Sequence, residues 1–161
     1  KMVAFLSSAS ILSYGIGPIC LLALRKIQPE QRRPFKLLGS LFFCNIAFYV
    51  CNLMLYWCGF SVIWKLCLAI LFGFIIYLCY QKRNFWSGNY SLYWFFSYIT
   101  VLLLLSYLGP FGGIARLKFP FGMLIIFPFS LLMLYLSQYC LVRDQAEKES
   151  FDLMNKQLQD L

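Results

Sequence analysis

The chain has 161 residues, of which 61% are hydrophobic, 20% aromatic and only 12% charged, with a mean hydropathy of +0.73. A soluble domain carries roughly 25% charged residues and at about 150 residues still exposes roughly 30% of its unfolded surface, so a water-soluble catalytic domain is excluded. The formal charge of +8, from 14 Lys and Arg against 6 Asp and Glu, sits in gaps too short to read a nucleic acid and fits membrane topology instead.

A helix crosses the hydrocarbon with about 20 apolar residues, because every backbone N–H and C=O must be paired within the segment once water is gone. The expected fold class is therefore all-α integral membrane, with about five transmembrane helices over residues 1–142 and a tail over 143–161. The first span is Val3 to Leu24. It exceeds the roughly 7 to 15 apolar residues of a signal-peptide core and no small-residue cleavage site follows it, so it is a span. The chain opens on Lys1 rather than methionine, and further residues upstream are expected. Pro18 should kink this span and free a carbonyl near Tyr14.

The second span, Leu37 to Cys58, runs almost directly into the third, Ser61 to Tyr80, with Gly59 and Phe60 as the turn of an antiparallel hairpin. Asn45 and Asn52 fall on one face of the second span, with Cys44 and Cys51 at the same interval, and predict an interhelical amide contact. The fourth span is Leu92 to Leu108. The LGPFGG run that ends it is glycine-rich, but it follows a membrane helix rather than a strand and lacks GK[ST], so it reads as a turn and not a phosphate loop. The fifth is Phe121 to Val142. Beyond it lie five of the six acidic residues, the mark of a solvated tail. Phe151, Met154, Leu158 and Leu161 recur there at helical steps, so the tail is either an amphipathic helix on the membrane face or a neighbouring loop, or a frayed extension.

Lys and Arg set the orientation. With the gap Arg25 to Lys36 on the cytoplasmic side, Gln81 to Ser91 and the tail join it, collecting ten basic residues there. Lys1, Arg116 and Lys118 remain outside, with Lys65 near the outer end of the third span. The C-terminus is then cytoplasmic, in a multi-pass protein of the cell (inner) membrane. Tyr56 and Trp57 at the outer turn, and Tyr80, Trp86, Tyr90, Tyr93 and Trp94 around the inner gap, read as interfacial anchors rather than a base-stacking platform.

Few residues point to chemistry. There is no His in the chain, which removes Cys/His zinc spacing, Ser-His-Asp and Cys-His nucleophiles and His proton shuttles. The seven cysteines, Cys20, Cys44, Cys51, Cys58, Cys67, Cys79 and Cys140, form no CxxC and lie in or beside apolar runs, so they are expected as small buried hydrophobes. No Asp or Glu lies inside the five spans, which leaves no intramembrane carboxylate as proton carrier. No catalytic residue, metal ligand or cofactor is implied. The first span is the most polar, with Ser7, Ser8, Ser10, Ser13, Tyr14, Gly15, Gly17 and Pro18. Ser10, Ser13, Tyr14 and Gly17 share one helical face, which is either a helix-packing face or the wall of a cavity.

The stretch SASILSYGIGPICLLALRKIQPEQRRPFKLLG, residues 8–39, resembles the amino acid permeases of the amino acid–polyamine–organocation superfamily. The resemblance is carried by Gly17-Pro18, by Leu24-Arg25-Lys26 and by Arg33-Pro34-Phe35-Lys36. The later YLGPFGG, Tyr107 to Gly113, is similar to the glycine-rich turn near the C-terminus of bacterial members akin to aspartate:proton symporters. The resemblance implies that the first span matches about the tenth helix of such a permease, which borders the substrate cavity, so Ser10, Ser13 and Tyr14 become candidates for lining it. It implies two five-helix inverted repeats, with substrate held at unwound segments of the first and sixth helices. Those segments have no counterpart here.

The expected function is thus the C-terminal part of a secondary-active amino acid transporter, permease or antiporter, not transport-competent alone. Its partners would be the lipid bilayer, an amino acid and the missing N-terminal helices, with no nucleic acid. The alternative is a small non-catalytic multi-spanning protein acting as scaffold or partner subunit. An enzyme is not expected.

Overall fold

A computed structural model describes residues 2–30, 32, 39–80, 90–114, 116 and 121–159. Arg33 to Lys36, Lys82, Arg83, Trp86, Lys118 and the expected apolar face of the tail (Phe151, Met154, Leu158 and Leu161) lie outside the described residues and side chains. Among the described residues the protein is all-α: α1 is Met2–Ile27, α2 Ser40–Cys58, α3 Phe60–Tyr80, α4 Tyr90–Leu108 and α5 Phe121–Gln159. All five helices are long and apolar enough to cross a membrane.

The helices end where backbone chemistry demands it. Gly39, before α2, has φ 75° and Gly59, between α2 and α3, has φ 85°, a region that side-chain-bearing residues rarely adopt. A Cβ at Gly59 would lie 2.8 Å from the Phe111 carbonyl oxygen. That oxygen accepts the Phe60 N–H at 3.0 Å, so the α2–α3 corner is pinned by the glycine turn after α4. The LGPFGG run is the turn its composition predicts, closed by Ile114 N–H donating to Tyr107 O at 2.8 Å. On the other side, the Arg25 guanidinium at the end of α1 donates to Ser40 Oγ at the start of α2.

Packing departs from the expected hairpin. The tight turn at Gly59 is present, yet α2 and α3 touch little. The buried face of α2 is Cys44, Phe48, Asn52, Leu55 and Tyr56, and it meets mainly α1 and α5. Helix α3 packs on α1 and α4 instead and leaves Phe72, Ile75, Ile76 and Tyr77 exposed, a surface suited to lipid. The core joins Ile19 and Leu22 of α1, Phe48 and Leu55 of α2, Ile63 and Leu66 of α3, Tyr98 and Leu102 of α4, and Phe129 and Met133 of α5. Helix α5 runs unbroken through Pro128 for 39 residues. At 1.5 Å per residue it is about 58 Å long, well beyond the roughly 30 Å hydrocarbon thickness.

Two groups of side chains sit elsewhere than expected. Cys20 and Cys79 are exposed and only Cys44 is buried, all seven cysteines being free thiols; as small, weakly polar groups they tolerate a lipid-facing position as well as a core one. Tyr56 is buried rather than interfacial. Trp94 also turns inward, its Nε1 donating to Met133 O at 2.8 Å and its ring stacking on Tyr98 at 5.5 Å. Both aromatics have a polar tip that an inward-facing acceptor or cavity can serve as well as a headgroup does.

Candidate functional site

On α1 the polar residues divide between two faces. At 100° per residue, Ser8, Gly15, Ile19, Leu22 and Ala23 fall on one side, and all five are buried. Gly15 packs on α2, where a Cβ would sit in ordinary contact with Cys51 and Phe48 at 3.8 and 3.9 Å. Ser10, Ser13, Tyr14 and Gly17 fall on the opposite side. All four are exposed, Tyr14 by 72%, and a Cβ at Gly17 would meet nothing within 4 Å. Ser10 Oγ donates only to its own helix, at Leu6 O, 3.1 Å away. The structure therefore keeps the three candidate residues together on one face, and that face packs against none of the other described helices. It offers hydroxyls that both donate and accept, a chemistry of binding rather than of bond-making.

A second polar group lies inside the bundle. Asn52 of α2 donates through Nδ2 to Ser130 Oγ of α5 at 3.1 Å and to Phe48 O at 3.1 Å. Its Oδ1 accepts Tyr98 Oη of α4 at 2.7 Å. Tyr98 is held flat between Trp94 and Phe129, with interplanar angles of 7° and 4°. Of the two asparagines expected to make an interhelical contact, Asn52 makes it and Asn45 turns back to Leu41 O. Nearby, Gln138 of α5 donates to Ile19 O of α1 at 3.0 Å.

Asp144 is the third. Composition places it in the solvated tail, but it is only 8% exposed. Its Oδ1 accepts the Tyr90 N–H at 2.8 Å and its Oδ2 the Ser91 N–H at 2.9 Å, with Ser91 Oγ also donating to Oδ2. These amides open α4 and have no intrahelical acceptor, so a carboxylate from α5 caps a different helix. Arg143 adds its guanidinium over the Tyr90 ring at 4.3 Å. Among the described residues no cluster of His, Cys, Asp and Glu is suited to a metal ion.

Ser130, Ser137, Gln138, Tyr98 and Asp144 were not singled out from the sequence. One signal was available: Ser130, Ser137 and Asp144 recur every seventh residue on α5, the same interval that marks Asn45 and Asn52.

No family model and no solved structure matches the chain. Over 137 residues, 81% of this chain, it is 30% identical to the glutamate/serine transporter AimA of Bacillus subtilis (strain 168). Over 150 residues, 86% of the chain, it is 31% identical to the aspartate-proton symporter of the same organism. These relatives are amino acid transporters, not enzymes. The chain spans about a quarter of their length, 25% of one and 28% of the other. Together with five apolar helices of spanning length, the similarity makes this a multi-pass membrane protein related to amino acid transporters.

Proposed function

We propose that the chain is the C-terminal part of a secondary-active amino acid transporter of the amino acid–polyamine–organocation type, and that it works only with the helices that precede it in such a protein. The observation that carries this reading is the similarity to two amino acid transporters across more than four-fifths of this chain but about a quarter of theirs. The outward face of α1 supports it. A strip of Ser10, Ser13, Tyr14 and Gly17 gains little from lipid, and it suits the border of a wetted substrate path completed by other helices. Substrate would be glutamate, serine, aspartate or a similar amino acid, after the names of the relatives. The distribution of Lys and Arg supports a cytoplasmic C-terminus in a protein of the inner membrane.

Proteoliposomes provide the test. The chain alone, and the chain joined to the coding sequence found upstream of it, are reconstituted and supplied with labelled glutamate, serine and aspartate. Flux is expected only from the longer product. Saturable, stereospecific uptake by the chain alone would overturn the dependence on preceding helices. A native membrane product of this length without flux would favour a scaffold or partner subunit.

A further inference from the structure

Tyr56, at the outer end of α2, is 4% exposed, and its Oη has no hydrogen-bond partner among the described residues. A hydroxyl left so inside a lipid-embedded bundle is unfavourable, because no bulk water competes for it. The hydroxyl is confined by glycines: a Cβ at Gly109 would lie 2.7 Å from it, and one at Gly122 would overlap it. Beside it is a cavity of about 10 Å³ lined by Asn52, Tyr56, Leu102, Leu105, Ile126 and Phe129. That is room for a single water.

A second unpartnered hydroxyl lies on the neighbouring helix. Ser106, one residue beyond the lining Leu105, is also fully buried with its hydroxyl unpartnered among the described residues. Asn52 has both amide protons engaged, one on a backbone carbonyl that only a donor can meet, which fixes Oδ1 as the oxygen that accepts from Tyr98. That oxygen keeps a second lone pair. We infer that the cavity between α2, α4 and α5 is a built site for one ordered water, which joins Tyr56 and Ser106 to the Asn52–Tyr98–Ser130 network. The water accepts from the Tyr56 and Ser106 hydroxyls and donates to Asn52 Oδ1, within the two to four partners that buried waters make. A metal cation is the wrong occupant, since four of the six lining residues are hydrocarbon and a hard cation takes about six oxygens. The water links the glycine cradle at the outer turn to the polar centre of the bundle.

Thermal unfolding of the chain purified from membranes tests the site. Tyr56→Phe and Ser106→Ala are each expected to lower Tm by about 2–4 °C, and the double variant by less than the sum, because both hydroxyls hold the same water. An unchanged or raised Tm for Tyr56→Phe overturns the site, since removing an unpaired hydroxyl from a dry cavity stabilises. If either variant fails to fold, magnetisation transfer from water to the Tyr56 hydroxyl in the unmodified protein decides by solid-state NMR. Transfer is expected, and its absence overturns the site.

Discussion

Asn52 and Ser130 lie 78 residues apart in the chain, yet Nδ2 of one donates to Oγ of the other at 3.1 Å inside the bundle. Asn52 is the hub of this contact, since its side chain hydrogen-bonds to both α4 and α5. Replacing it with leucine should destabilise the protein by about 1–3 kcal/mol, because Tyr98 is left with a buried hydroxyl to satisfy. Ser130→Ala and Tyr98→Phe each remove one interhelical contact and should cost less, roughly 0.6 kcal/mol with about 1.7 as the upper end. Unfolding in micelles against a denaturing detergent gives the order; a Tyr98→Phe loss as large as that of Asn52→Leu would show that the ring, not the amide, is the hub.

Two glycines should respond in opposite ways. Gly59→Ala forces φ 85° on a residue with a Cβ and pushes that atom to 2.8 Å from the Phe111 oxygen, so a loss on the order of 1–3 kcal/mol is expected. Gly17→Ala meets open space on α1 and should stabilise the isolated chain by up to about 1 kcal/mol through helix propensity. In the longer transporter the same Gly17→Ala change should impair uptake if the outward face borders substrate. Melting curves for both variants, with uptake for the second, separate the effects.

Asp144 caps α4 from another helix, so its loss should be felt at the recipient. Asp144→Ala should cost about 0.5–2 kcal/mol, the range for losing a cap side chain, and should speed hydrogen exchange at the Tyr90 and Ser91 amides specifically. Asp144→Asn keeps a single acceptor oxygen and should retain part of that protection. Uniform exchange across α4 in Asp144→Ala would instead indicate a general loss of packing.

The outward face of α1 is testable without substrate assays on the short chain. Cysteine placed at Ser13 in the longer protein, in a background with the native cysteines replaced, should react with a water-soluble thiol reagent and be protected by the transported amino acid. Cysteine at Phe72, on the exposed apolar face of α3, should resist the same reagent. Equal protection from water at both positions would place the α1 face against lipid.

Topology has a direct readout. A fluorescent protein that folds only in the cytoplasm should light up when fused after Leu161, and a reporter active only outside should respond when inserted at Arg116, in the turn region between α4 and α5. The reverse pattern would contradict the charge-based orientation.

The sequence was most legible where one-dimensional pattern is sufficient. Apolar runs of spanning length mark all five helices, since hydropathy is a sum over neighbours in the chain. Gly59 and the LGPFGG run are readable as turns for a similarly local reason. The polar face of α1 was readable as a face, from the spacing of Ser10, Ser13, Tyr14 and Gly17, but its direction was not, because spacing leaves open what stands opposite.

Partner choice was beyond the sequence. Asn45 and Asn52 look alike in spacing, and only the seating of α4 and α5 against α2 gives Asn52 two partners while Asn45 folds back on its own helix. Asp144 looks like a tail residue until α5 is seen to continue past the membrane thickness beside the first turn of α4. The sequence by itself determined that this chain suits lipid and where its five helices of spanning length run, because burial in hydrocarbon is set by apolar area summed along the chain. Tertiary structure decided which polar groups meet, because a hydrogen bond requires two atoms within about 3 Å, a condition that residues dozens of positions apart satisfy only through the packing of the helices that carry them.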